Sequence, residues 1–395
     1  MKNILLTLLL AGLTMVGPLA IDTYLPSFPA IAETFSASPM AIQQTLSLFL
    51  FTFAFMMLFY GTLSDSFGRR PVILWSLVLY VLASLGGALA GSFGFLLGAR
   101  ILQGLASGAG SVISRAIVQD RFEGMEAQKM LGNIMMVFGL APAIAPVLGG
   151  WLQVSFGWRS IFWFLTAFGV VMFVAVWRWL PESLPKEKRH PLHLGAIAGN
   201  YWMVLRHRCF LLLSISLGAA FGGFALYIGS AAYFIMHILK LPETAFAWLF
   251  IPLISGHVLG ATASGKLAHK VAPRTLIRVS FALMAVSAAL NVAYNWFFAA
   301  TIPWAVLPLF LYSFSLALAM PPLTLAGMNL FPNHSGLAAS MQSFLQMMLF
   351  ALVSGLVAPL LFGSALHLAY GLAACLLVSY AAYHLAQGQG AGVTS

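Results

Sequence analysis

Asp22 is a carboxylate set where an apolar segment leaves water little access. Of the nine Asp and Glu residues in the chain, it alone lies deep in a long apolar run, about residues 4–31. A charged side chain at the centre of a membrane helix costs roughly 2.5–3.5 kcal/mol on insertion scales, so it marks a functional site by default. The chemistry open to it is reversible protonation, answering to solvent access and to nearby charge.

A second ionisable group stands in the fourth apolar segment. From Arg100 onward, Gln103, Gly104, Ser107, Gly108, Ser111 and Arg115 recur at helical spacing and put polar and small residues on one face. That face is predicted to look inward rather than at lipid. At 1.5 Å rise per residue, Asp22 lies roughly 14 Å and Arg100 roughly 9 Å below the outer ends of their helices, close enough in depth to share a wet cavity. The competing role for Arg100 is a structural brace on backbone carbonyls of the first helix.

His257, in the eighth apolar segment, is the main rival titrating group, because histidine changes charge near neutral pH. A lone membrane histidine is more commonly a packing residue. Phe224 and Tyr227, and Gln342 and Gln346, have one-face spacings suited to an apolar pocket with a few polar anchors. Tyr24, Gln103 and Ser107 are the candidates from the first half. Met341, Met347 and Met348 offer adaptable surface. Helix packing or lipid contact is the plainer reading of each aromatic or methionine. Cys209 and Cys375 suggest neither a disulfide framework nor a metal site.

The elements that must position these groups are membrane helices. The chain is 61% hydrophobic and 7% charged with a mean hydropathy of +0.95, which excludes a water-soluble surface. Apolar runs between polar or Gly/Pro breaks predict an all-α polytopic fold with twelve spans: 4–31, 42–60, 71–91, 94–118, 130–153, 159–180, 209–237, 245–264, 275–295, 302–330, 336–361 and 364–385. The first run is longer than the core of a cleavable signal peptide and continues through Asp22 to Pro26 and Pro29.

The net charge of +10 invites a nucleic-acid partner, but its distribution points elsewhere. If Lys2 is cytoplasmic and twelve spans alternate, only Arg159 and Lys240 fall on the outer side and Arg100 in the membrane. The remaining lysines and arginines fall on the inner side, as the positive-inside rule requires. Residues 181–208, with Pro181, Pro185, Pro191 and the cluster Lys186, Lys188 and Arg189, read as a cytoplasmic linker on an anionic lipid surface. A solvated connector is the plainer alternative. The linker separates six-helix bundles at 1–180 and 209–395.

A repeat crosses that linker. Gly61-x-Leu63-x-Asp65-x-x-Gly68-Arg69-Arg70 is matched by Gly265-x-Leu267-x-His269-x-x-Ala272-Pro273-Arg274 at a constant offset of 204 residues. Parallel repeats of six helices imply a binding site near the bilayer midplane. Gly61 is expected to permit close helix approach and Gly68 to supply the turn. Asp65 is expected to cap a helix end or pair with Arg69 or Arg115.

The first of these loops resembles the cytoplasmic signature of the major facilitator superfamily, Gly-x-Leu-(Ala/Ser)-Asp-x-x-Gly-Arg-(Lys/Arg). In the fifth helix, Gly139, Pro142, Pro146, Gly149 and Gly150 resemble the antiporter signature of that superfamily's drug exporters, with Ala145 replacing the Gly before the proline. Prolines free carbonyls and bend the helix, and paired glycines let a neighbour pack closely. Three further stretches, Asp22 to Pro29, Arg115 to Asp120 and Leu180 to Pro185, are similar to the bicyclomycin/chloramphenicol-resistance (Bcr/CflA) branch of the drug:proton antiporters.

That resemblance implies proton-coupled efflux of small amphipathic or lipophilic drugs by alternating access. It implies a monomer in a bacterial inner membrane with both termini cytoplasmic, driven by the proton gradient without a cofactor. Asp22 and Arg100 would couple the proton, and Gly61, Asp65, Gly68, Arg69, Arg70 and Arg115 would gate. Export of an endogenous metabolite such as an amino acid, sugar or nucleoside is the next reading, and proton-coupled uptake the third. An enzyme has no support in the motifs: the sequence shows no His/Glu metal spacing and no P-loop.

Overall fold

The computed structural model describes residues 2–122, 124–189, 194–268, 270–331 and 335–389. The chain divides into two compact units, Met1–His193 and Leu194–Ser395. In the first, α1 (Lys2–Asp22) ends in a break, and a 3-10 turn (Leu25–Ser27) leads to α2 (Phe28–Phe35). Then follow α3 (Pro39–Phe67), α4 (Arg69–Ala88), α5 (Phe93–Ser107), α6 (Ala109–Arg121), α7 (Gly124–Phe156) and α8 (Arg159–Trp179). The local sequence explains the boundaries. Ser38 and Ser92 cap α3 and α5 through their hydroxyls, and Pro39 occupies the first turn of α3, where no N–H is needed.

The second unit comprises α9 (Leu194–Arg206), α10 (Arg208–Gly229), α11 (Ala231–Tyr233), α12 (Ala247–Leu267), α13 (Pro273–Phe297) and α14 (Leu307–Met328). It closes with α15 (Ser335–Leu352), α16 (Ala358–Leu361) and α17 (Ala365–Gly388). One-turn π-helical segments at Phe234–Ile238 and Val353–Val357 extend α11 and α15. Helix pairing repeats between the units. The contacts α1 with α7, α3 with α5 and α4 with α8 recur as α10 with α15, α12 with α14 and α13 with α17.

Eleven helices among the described residues are long and apolar enough to cross a membrane. The fifth span expected from sequence falls in α7, a helix of 33 residues, but the side chains of residues 135–140, Gly139 included, lie outside the described residues. The apolar run described there, Ala141–Phe156, is by itself shorter than a full span. The stretch expected as a linker contains a helix: α9 packs on α10 and α15 and belongs to the second unit. Arg189, expected on a lipid surface, lies 3.8 Å from Glu182.

Candidate functional site

The break after α1 is the centre of the first unit's polar interior. Asp22 is the last residue of the helix and only 3% exposed. Its carboxylate forms no ion pair within 4.0 Å among the described residues. Pro26 and Pro29 prevent a regular continuation, because proline carries no N–H for the helical ladder. Helix α7 seats directly on this break. A Cβ at Gly149 would overlap the Thr23 carbonyl, and Ser27 donates a hydrogen bond to Gln153 Oε1 at 2.9 Å. Pro146 and Gly150 are buried in the same helix, and Pro142 is half-buried.

Arg100 does not pair with Asp22 in this structure. Fully buried, it donates through Nη1 to the Ala20 carbonyl at 3.0 Å and to Gln103 Oε1 at 2.6 Å. Its guanidinium carbon lies 4.3 Å from the ring centres of both Tyr24 and Phe49. Stacking between two aromatic faces holds a desolvated cation at about 2 kcal/mol or more. The guanidinium thus braces the turn of α1 that ends at Asp22. Gln103 passes the network on to the Ser84 hydroxyl at 2.9 Å, Tyr24 shares a hydrogen bond with Thr45, and Ser107 donates to the Gln103 carbonyl. All three candidates from the first unit therefore spend polar atoms inside the bundle.

The polar face that begins at Arg100 is buried as far as Gly108, where α5 gives way to α6. Gly104 and Gly110 let α5 and α6 meet the backbones of Phe49 and Leu13. Beyond them, in α6, Ser111 is half-buried and Arg115 is exposed.

A second charged cluster locks the junction of α3 and α4. Arg69 pairs with Asp65 one turn earlier and donates from Nε to Asp120 Oδ2 at 3.1 Å. Asp65 therefore takes Arg69, not Arg115, as its partner. Glu182 accepts the Arg69 and Arg70 N–H groups at 3.0 and 3.2 Å, capping the start of α4, and also the N–H groups of Ser183 and Leu184. Arg70 reaches the Trp177 carbonyl at 2.5 Å, and Ser183 donates to Asp120 at 2.8 Å. Gly68 has φ +101°, and a Cβ there would stand 2.7 Å from Glu182 Oε2, so both the conformation and the space require glycine. The expectation for Gly61 is corrected. A Cβ there would meet nothing within 4 Å among the described residues, and the close approaches occur at Gly104 and Gly110 instead.

In the second unit, Tyr227 accepts a hydrogen bond from Asn291 Nδ2 at 2.8 Å. Phe224 lies 5.9 Å from the His257 ring, whose Nδ1 has no partner among the described residues. Gln342 is 2% exposed with neither amide atom paired among the described residues, and Gln346 is half-buried. His269 lies outside the described residues. Glu182 and Asp120 were visible in the sequence only as acids within stretches of resemblance. Their rarity on an otherwise basic side was the signal for a structural task.

Apolar helices of membrane length, with most ionic groups near helix ends and Arg100 a buried brace, define a multi-pass membrane protein. The Major Facilitator Superfamily model matches residues 10–359, and the chain belongs to that superfamily. It is a transporter rather than an enzyme. The chain is 29% identical over 384 residues to the bicyclomycin resistance protein homolog of Haemophilus influenzae, covering 95% of this chain and 94% of that one. It is 30% identical over 288 residues to the chloramphenicol resistance protein of Pseudomonas aeruginosa, covering 72% and 67%. Among solved structures, a bacterial homolog to the human lysosomal transporter Spinster superposes with a TM-score of 0.74 at 16% identity, covering 98% of this chain and 96% of that one.

Proposed function

We propose that this chain is a proton-coupled multidrug exporter of the bacterial inner membrane, with both termini cytoplasmic. It works by alternating access and exchanges small amphipathic or lipophilic compounds, of the chloramphenicol or bicyclomycin kind, for protons. The observation that carries this reading is Asp22, buried at the broken end of α1 and without an ion pair among the described residues, next to the Thr23 backbone on which Gly149 of α7 packs. The names of the relatives support the substrate class.

Ionised Asp22, open to the cytoplasm, favours drug entry. After the drug leaves outward, a proton from the outside neutralises the carboxylate, so the return passes through an apolar interior without a bare charge. Arg100 holds the Ala20 carbonyl and thereby the position of Asp22. The driving force is about 1.4 kcal/mol per pH unit plus about 2.3 kcal/mol per charge per 100 mV. Phe224, Tyr227, His257, Gln342 and Gln346 are the proposed drug contacts of the second unit.

The test is accumulation of a labelled drug in a pump-deficient host, with and without an uncoupler. Export predicts higher accumulation after uncoupling, and lower accumulation would indicate uptake and defeat the proposal. A growth-inhibition panel with amino acids, sugars and nucleosides beside drugs separates drug export from metabolite export.

A further inference from the structure

The second unit repeats the helix pairing of the first but not its charge balance. At the α3–α4 junction, three carboxylates, Asp65, Asp120 and Glu182, answer Arg69 and the N–H groups that open α4. The same offset of 204 residues leads from Asp120 to Thr324 and from Glu182 to Ala386. Arg69 is replaced by Pro273, which has no N–H and so starts α13 without a carboxylate cap. Arg70 is retained as Arg274. Glu243 is the only acidic residue after position 187 in the sequence, and it precedes α12, whereas the junction follows that helix. Lys266, Lys270 and Arg274 are exposed, with no carboxylate within 4.0 Å among the described residues.

Beside these cations the unit has a cleft of about 420 Å³, within the range of small-ligand sites, about 300–1,000 Å³. Leu213 of α10, Val271 and Pro273 of the junction, and Pro321 and Leu325 of α14 give it apolar walls. Of its polar residues, Ser264 already donates its hydroxyl to the Leu318 carbonyl at 3.1 Å, leaving Asn329 at the edge. An apolar cleft beside unanswered cations, on the side that the lysine and arginine distribution assigns to the cytoplasm, matches an amphiphile with an anionic head.

We propose that this cleft binds an anionic phospholipid of the inner leaflet. One acyl chain lies between α12 and α14, and the phosphate rests on Lys270 and Arg274. The site is independent of which compound the protein exports. At the same offset the first unit carries Thr62 and Ser66 in place of Lys266 and Lys270, and its Arg70 donates to the Trp177 carbonyl, so the binding is confined to the second repeat.

Native mass spectrometry of the purified full-length protein tests this by titration with phosphatidylglycerol or with phosphatidylcholine of the same acyl chains. The expected result is a first phosphatidylglycerol adduct about 30-fold tighter than its phosphatidylcholine counterpart, at about 1 kcal/mol for each of the two cations near the headgroup. Lys270→Gln with Arg274→Gln removes that preference. Ala268→Trp, which keeps every charge but fills the cleft, weakens both adducts. Lys186→Gln with Lys188→Gln is the charge-matched control and leaves the first adduct intact. Equal binding of the two lipids overturns the proposal, as does an equal loss in the control or undiminished binding in Ala268→Trp.

Discussion

At the scale of single residues, the molecule keeps one carboxylate inside its apolar spans, and no cation among the described residues pairs with it. Asp22→Asn preserves shape but cannot release a proton. Drug resistance conferred by the variant is expected to fall to the level of the empty host, and undiminished resistance would remove Asp22 from the mechanism. Arg100 is held by geometry that lysine cannot copy: a planar cation between the Tyr24 and Phe49 rings while Nη1 reaches both Ala20 and Gln103. Arg100→Lys is expected to lower stability by about 2 kcal/mol, read as a reduced unfolding temperature in detergent. The sequence placed Arg100 in the interior, since nothing else suits an arginine inside an apolar helix. It left open whether the partner was a carboxylate or a carbonyl, because the Ala20 carbonyl and the Phe49 ring carry no sequence signal of their own.

At the scale of elements, two junctions organise the first unit. Glu182 closes one of them by accepting the opening N–H groups of α4 from a segment more than 100 residues away. Glu182→Ala is expected to cost about 1–2 kcal/mol through the lost cap, with the loss concentrated at the α3–α4 junction in hydrogen exchange. The other junction is the contact of α7 with the break at Thr23. Gly149→Val places two methyl groups where the Thr23 backbone lies, so transport is expected to fail while the protein still inserts. Normal drug export by that variant would show that the close approach has no functional weight. The glycine motif was legible as a pattern, but its target was not. Which backbone a glycine admits depends on the helix opposite, and Gly61, equally prominent in the sequence, admits none among the described residues.

At the scale of the whole molecule, one membrane carboxylate limits the charge carried per cycle. A neutral drug exchanged for one proton moves one net charge, and a monovalent cation exchanged for one proton moves none. In proteoliposomes, chloramphenicol-like transport is expected to respond to membrane potential, and transport of a monovalent cation to the pH difference alone. Electroneutral export of a dication, which requires two protons per cycle, would defeat this single-carboxylate account.

What the sequence determined by itself is whatever lipid and local backbone rules enforce. A segment surrounded by hydrocarbon must be apolar for about 20 residues and must satisfy its own N–H and C=O groups, so the helical spans and the doubled architecture could be read from composition and spacing. Gly68 was readable for the same reason, since a positive φ is a property of its own backbone. Tertiary structure alone decided what each polar atom meets: Arg100 on a carbonyl and two rings, Glu182 on the start of α4, Gly149 on Thr23. Those partners lie up to about 130 residues apart in the chain, and no periodicity within a helix encodes the direction from which another helix arrives.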